Sequence, residues 1–71
     1  MLNSEMIKAR MKEKNVTQKD IANILGIAPP TVSQKINGVR PMDLNEAEAI
    51  AKKLDIMPSE FGRYFFGTVV A

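Results

Sequence analysis

TQKDIANILGIAPPTVSQKING, residues 17–38, decides how the rest of the chain is read. Thr17-Gln-Lys-Asp20 has the spacing of a capping box, with Asp in the place more often held by Glu or Gln. There a hydroxyl and a carboxylate three residues apart satisfy backbone N–H groups at a helix start. Ile21, Ala22, Ile24 and Leu25 follow at spacings of three and four, which predicts one buried helical face. Gly26 stands where a helix closes in a left-handed residue at no steric cost, and Ile27 returns to the core. A second short helix is expected from Pro30 or Thr31 to about Ile36. A proline disfavours helical angles in the residue before it, so Pro29 is pushed toward extended geometry. Val32 and Ile36 form the inward pair of this helix. Thr31, Gln34 and Lys35 fall on or near the exposed side, with Ser33 on the flank. Asn37-Gly38 closes it. The stretch reads as helix, tight turn, helix.

Working outward, a preceding helix is predicted from Asn3 or Ser4, either able to cap it, to about Lys14. Ile7 and Met11, four apart, make its inward stripe, and Lys8, Lys12 and Glu13 its outer face. Asn15 tolerates a left-handed helix end, after which Val16 turns inward. Beyond Gly38, Val39-Arg-Pro-Met42 is a linker. Asp43-Leu-Asn-Glu46 is a second capping box. It opens a helix with an apolar face of Leu44, Ala47, Ile50, Ala51 and Leu54, and Lys52-Lys53 suit its negative C-terminal end. Ile56 and Met57 lead to a last short helix, begun by Pro58 and carrying Phe61, Tyr64 and Phe65. The expected core is Val16, Ile21, Leu25, Ile27, Val32, Ile36, Leu44, Ile50, Leu54, Ile56 and Phe61. Five short helices with few-residue loops predict an all-α, compact five-helix bundle over residues 1–66, with a short apolar tail at 67–71.

Seventy-one residues make one small domain, near the lower limit at which a core supports itself. Cysteine and histidine are both absent, which removes disulfides, thiolate ligands, the commonest metal ligand and the usual neutral-pH base. Glu46 and Glu48 lie two apart on a helix and point to different sides, so they do not form a carboxylate pair. No phosphate loop or nucleophile motif is present. The expectation is a protein with no catalytic residues, no metal and no cofactor. No apolar run is long enough to span a bilayer and the N-terminus lacks an export signal, so the expected location is cytoplasmic, away from membranes.

The net charge is only +2, but it is unevenly spread. Residues 1–40 carry seven Lys/Arg against three Asp/Glu, and residues 41–71 carry three against five. A basic front half fits an anionic partner such as a nucleic-acid backbone. The same lysines, Lys8, Lys12, Lys14 and Lys19, also serve simply to solvate helix faces.

Taken together, Ile7, Val16-Thr17-Gln18, Ile21-Ala22, Leu25-Gly26-Ile27, Thr31-Val32-Ser33, Asn37-Gly38 and Arg40-Pro41 resemble the helix-turn-helix of Cro and phage-repressor-type regulators. Ile50-Ala51, Leu54 and Glu60-Phe61 extend the resemblance, which covers about residues 4 to 62. It implies a bundle of the lambda-repressor-like helix-turn-helix type with its motif at 17–38. Lys35-Ile-Asn-Gly38 with a terminal Phe65-Phe66 looks like small Cro-like proteins of phages and prophages. In this family the second helix of the motif enters the major groove and the first lies across the backbone. Carried over by position, Gln18, Asn37 and Arg40 would meet phosphates. Thr31 and Gln34 would face base edges, and Lys35 would reach a phosphate or a guanine. Capping (Thr31, Asn37) and plain solvation (Gln34, Lys35) are the competing roles.

Two departures from the family pattern stand out. Many members hold an ion pair between an Arg in helix one and a Glu near the end of the recognition helix; the matching positions here are Met11 and Ile36. Pro29-Pro30 stands where many relatives place polar base readers. Proline offers only apolar contact, for example to a thymine methyl. The implied partner is a double-stranded DNA operator, for which tight binding would need a homodimer; Phe65-Phe66 and Val69-Val70 are its candidate surface, with core completion the stronger expectation for Phe65. The competing implication is a cognate repressor protein, gripped by an antirepressor through Pro29, Pro30 and Val32.

Overall fold

The computed structural model describes residues 2–66; the tail expected over 67–71, with its Val69-Val70 part of the dimer surface, lies outside them. Five helices run in order: α1 (Ser4–Lys14), α2 (Gln18–Leu25), α3 (Pro29–Ile36), α4 (Leu44–Lys53) and α5 (Pro58–Phe65). Asn3 caps α1, its side chain accepting from the Met6 N–H at 3.1 Å. Both expected capping boxes form. Thr17 and Asp20 exchange hydrogen bonds at the start of α2, and Asp43 and Glu46 do so at the start of α4.

Four helices stop by one device. Asn15, Gly26, Gly38 and Asp55 take left-handed angles, with φ of 57°, 69°, 78° and 54°. At each stop the next residue is apolar and its N–H reaches back five residues: Val16 to Met11, Ile27 to Ala22, Val39 to Gln34 and Ile56 to Ala51. These bonds satisfy carbonyls that a helix end would otherwise leave unpaired. Val16, Ile27 and Ile56 pack on the core. Val39 does not; it is 73% exposed.

α2 packs on α3 and α4, and α1 on α5. The fully buried large side chains are Ile7, Ile21, Val32, Ile36, Ile50 and Leu54, each contributing about 1.5–3 kcal/mol by leaving water. Met11, Ala22, Ala47, Ala51, Ile56 and Phe65 complete the core, and Val16, Leu25, Ile27, Met42, Phe61 and Tyr64 pack against it. Phe61 and Phe65 stack with ring centroids 4.8 Å apart.

Three expectations are corrected. Leu44 is 57% exposed rather than core. It is the first residue of α4, at the helix end, and Met42 from the linker packs against the core. Ile24 is also exposed. With 3.6 residues per turn it projects roughly 100° from the middle of the Ile21, Ala22 and Leu25 stripe. Finally, α3 begins at Pro29, not at Pro30 or Thr31. The extended residue is Ala28, at φ −73° and ψ 146°, whose carbonyl accepts from Thr31 and Val32. Two prolines fit there because the first helical positions have no N–H obligation to meet.

Two long-range links close the bundle. The Ser4 hydroxyl donates to the Ile36 carbonyl, joining the start of α1 to the end of α3. Arg10 reaches the far end of α4, donating from Nε to the Leu54 carbonyl at 2.9 Å and from Nη2 to the Asp55 carbonyl at 3.0 Å. Its remaining Nη1 pairs with Glu13. Arg10→Met keeps most of the apolar stem and removes the donors. It is expected to lower stability by about 1–2 kcal/mol in urea unfolding. A loss below a few tenths would mean that water replaces the guanidinium at those carbonyls.

Candidate nucleic-acid interface

The turn between α2 and α3 is short because Gly26 takes the left-handed angle and Ile27 anchors the chain before Ala28 starts the next helix. Pro30, Gln34 and Asn37, at i, i+4 and i+7, are all exposed and define the outward line of α3. Val32 and Ile36 hold the opposite side in the core, each 1% exposed. Thr31 and Ser33 are half-buried on the flanks, and the Asn37 amide donates to the Ser33 hydroxyl at 3.3 Å.

The two helix starts differ in what they offer an anion. At α2 the Thr17 hydroxyl takes the Asp20 N–H and the Thr17 carbonyl takes the Ile21 N–H. The N–H groups of Gln18 and Lys19 remain at the tip, beside the exposed Gln18 and Lys19 side chains. Such a tip is suited to a phosphate. Hydrogen bonds from the Thr17 backbone and then from its hydroxyl hold the Asp20 carboxyl below the usual carboxylate range. At α3 Pro29 and Pro30 carry no N–H, and the Thr31 N–H is spent on Ala28 at 3.0 Å. Pro29 and Pro30 therefore make the front of α3 an exposed apolar edge with no free backbone donor.

The expected contact residues are thus unequally placed. Gln18, Gln34, Asn37 and Arg40 are exposed, and Thr31 is half-exposed. Among the described residues no ion pair engages Arg40 or Lys19. Lys35 was expected on or near the exposed side, but its ammonium is turned toward α4. It lies 2.9 Å from Glu46 Oε1 and 3.1 Å from the Pro41 carbonyl. Val32, expected as part of a protein-contact ridge, is buried and cannot be one. Val39, expected only as the start of a linker, is the apolar residue exposed between Asn37 and Arg40. Only its being the exception among four like helix ends marks it out.

No group of three or more potential metal ligands is gathered among the described residues, and none of their helices is long and apolar enough to cross a membrane. An all-α bundle in which a short turn presents the second of two helices outward has the architecture of a helix-turn-helix domain. A family model described as Helix-turn-helix matches residues 7–61. The chain belongs to the Cro/repressor-like helix-turn-helix family of DNA-binding transcription regulators. Comparison with curated proteins and with solved structures returned no match.

Proposed function

We propose that the protein is a sequence-specific regulator of a phage or prophage lysogeny switch, binding an operator with α3 in the major groove. The observation that carries this reading is the outward line of Pro30, Gln34 and Asn37, set beside the donor-bearing tip of α2. Gln34 suits a bidentate pair with adenine, and Pro29 and Pro30 suit a thymine methyl. Thr31 contributes from the flank, while Gln18, Asn37 and Arg40 meet phosphates. One domain this small buries modest area, so two copies are expected on half-sites about one turn, roughly 34 Å, apart. Phe66 lies half-exposed on a groove with Leu2, Met42 and Leu44, and is the described part of the candidate dimer surface. Phe65 belongs to the core.

Gel shifts on palindromes from the protein's own promoter region test this. Retention at ~50 mM salt is expected, the condition that most favours phosphate contact. Gln34→Ala is expected to cost about 1–3 kcal/mol on the cognate site and little on unrelated duplex. No retention at that salt would count heavily against the reading.

A second reading is favoured by the donor-free ridge at Pro29-Pro30. An antirepressor would use that exposed apolar edge to grip a cognate repressor protein. Co-purification with that repressor separates the two readings. Pro29→Ala with Pro30→Ala should weaken the association; an unchanged association would sink this version.

A further inference from the structure

We propose that Lys35 is a positioning residue for the DNA-binding surface, setting the Asn37–Pro41 loop through Glu46 rather than touching DNA. The proposal rests on the DNA-binding reading for its consequence, though its geometry is independent of it. The Lys35 and Glu46 side chains are only 16% and 18% exposed. Glu46 Oε1 is shared: it accepts from the Lys35 ammonium at 2.9 Å and from the Asp43 N–H at 3.0 Å. One oxygen thereby joins the last turn of α3 to the start of α4. The same ammonium donates to the Pro41 carbonyl at 3.1 Å, fixing the far end of the loop.

The near end of that loop is fixed by backbone. Gly38 N–H donates to the Lys35 carbonyl at 3.2 Å, and the Val39 and Arg40 N–H groups both reach the Gln34 carbonyl, at 2.8 and 3.2 Å. Asn37 and Arg40 project from a segment held at both ends, so their offset from Gln34 is set before any ligand arrives. A contact surface organised in advance loses less ordering entropy on binding. The charge of Lys35 is already matched by Glu46 inside the protein. Forming a complex therefore releases no counterion on its account, whereas a lysine that neutralises a phosphate steepens the salt dependence by about one unit.

The test measures binding of wild type, Lys35→Met, Lys35→Arg and Arg40→Met to one selected palindrome across a salt series. Amide exchange of Val39 and Arg40 is measured in the same proteins without DNA. Lys35→Met is expected to weaken binding about tenfold with the salt slope unchanged. It should also speed Val39 and Arg40 exchange about tenfold relative to Ile21. Lys35→Arg should restore most of both. Arg40→Met should flatten the slope by about one unit per bound copy. A flatter slope in Lys35→Met, or loop exchange equal to wild type, overturns the proposal. Failure of the wild type to bind any palindrome sinks the DNA reading alone, since the exchange measurement still decides whether Lys35 holds the loop.

Discussion

Ile36→Glu is expected to leave the domain unfolded at 25 °C, and Met11→Arg in the same chain to recover a substantial part of the loss. Ile36 is 1% exposed and Met11 7%, and both belong to one buried cluster. A lone carboxylate there has neither water nor a partner, which costs several kcal/mol. Small domains have only about 5–15 kcal/mol in total to lose. In many members of the family these two positions carry an Arg and a Glu that pair internally. Here both are apolar, so no charge is orphaned, and replacing both members of a buried pair is often neutral or stabilising. Reintroducing both charges should couple favourably, by more than about 1 kcal/mol in a double-mutant cycle read by urea unfolding. Simple additivity of the two losses would mean that the side chains do not face each other. Ile36→Ala, a milder probe of the same site, should cost about 2–5 kcal/mol.

Raising salt from about 50 to 200 mM is expected to weaken operator binding several hundredfold, by fluorescence anisotropy on a fixed palindrome. Arg40 and Lys19 are exposed and outside any ion pair among the described residues, so in the proposed two-copy complex they would supply most of the cations that meet the backbone. With about five phosphates neutralised, log K falls against log salt at a slope of roughly −4 to −5. Lys35, paired with Glu46, is expected to add nothing to that slope. A slope near zero would remove DNA from consideration and favour the antirepressor reading, in which the basic front half meets an acidic protein.

Much of the fold is legible locally because capping boxes and left-handed stops are short-range chemistry. Thr17 with Asp20, Asp43 with Glu46, Asn15 and Gly26 can each be read within a few residues, and each forms. The misses share a different cause. Periodicity places Leu44 and Ile24 on apolar faces but does not say how far a neighbouring helix extends over them. Nothing near Lys35 reveals that a carboxylate eleven residues later will turn it inward. The links from Ser4 to Ile36 and from Arg10 to Leu54 and Asp55 span more than thirty residues and leave no local trace. At the candidate site, the line of Pro30, Gln34 and Asn37 follows from helical spacing alone. The donor-free front of α3 needed the finding that Pro29 is helical, which the proline-before-proline preference argued against.

Val39 shows what a repeated stop signal leaves open. Val16, Ile27 and Ile56 are constrained twice, by the turn they complete and by the core they pack against. Val39 completes the same turn with its side chain in solvent. The side chain at this position can therefore change with little cost to the core, next to Asn37 and Arg40 on the surface proposed to meet DNA. It is a place where recognition can drift while the domain stays intact.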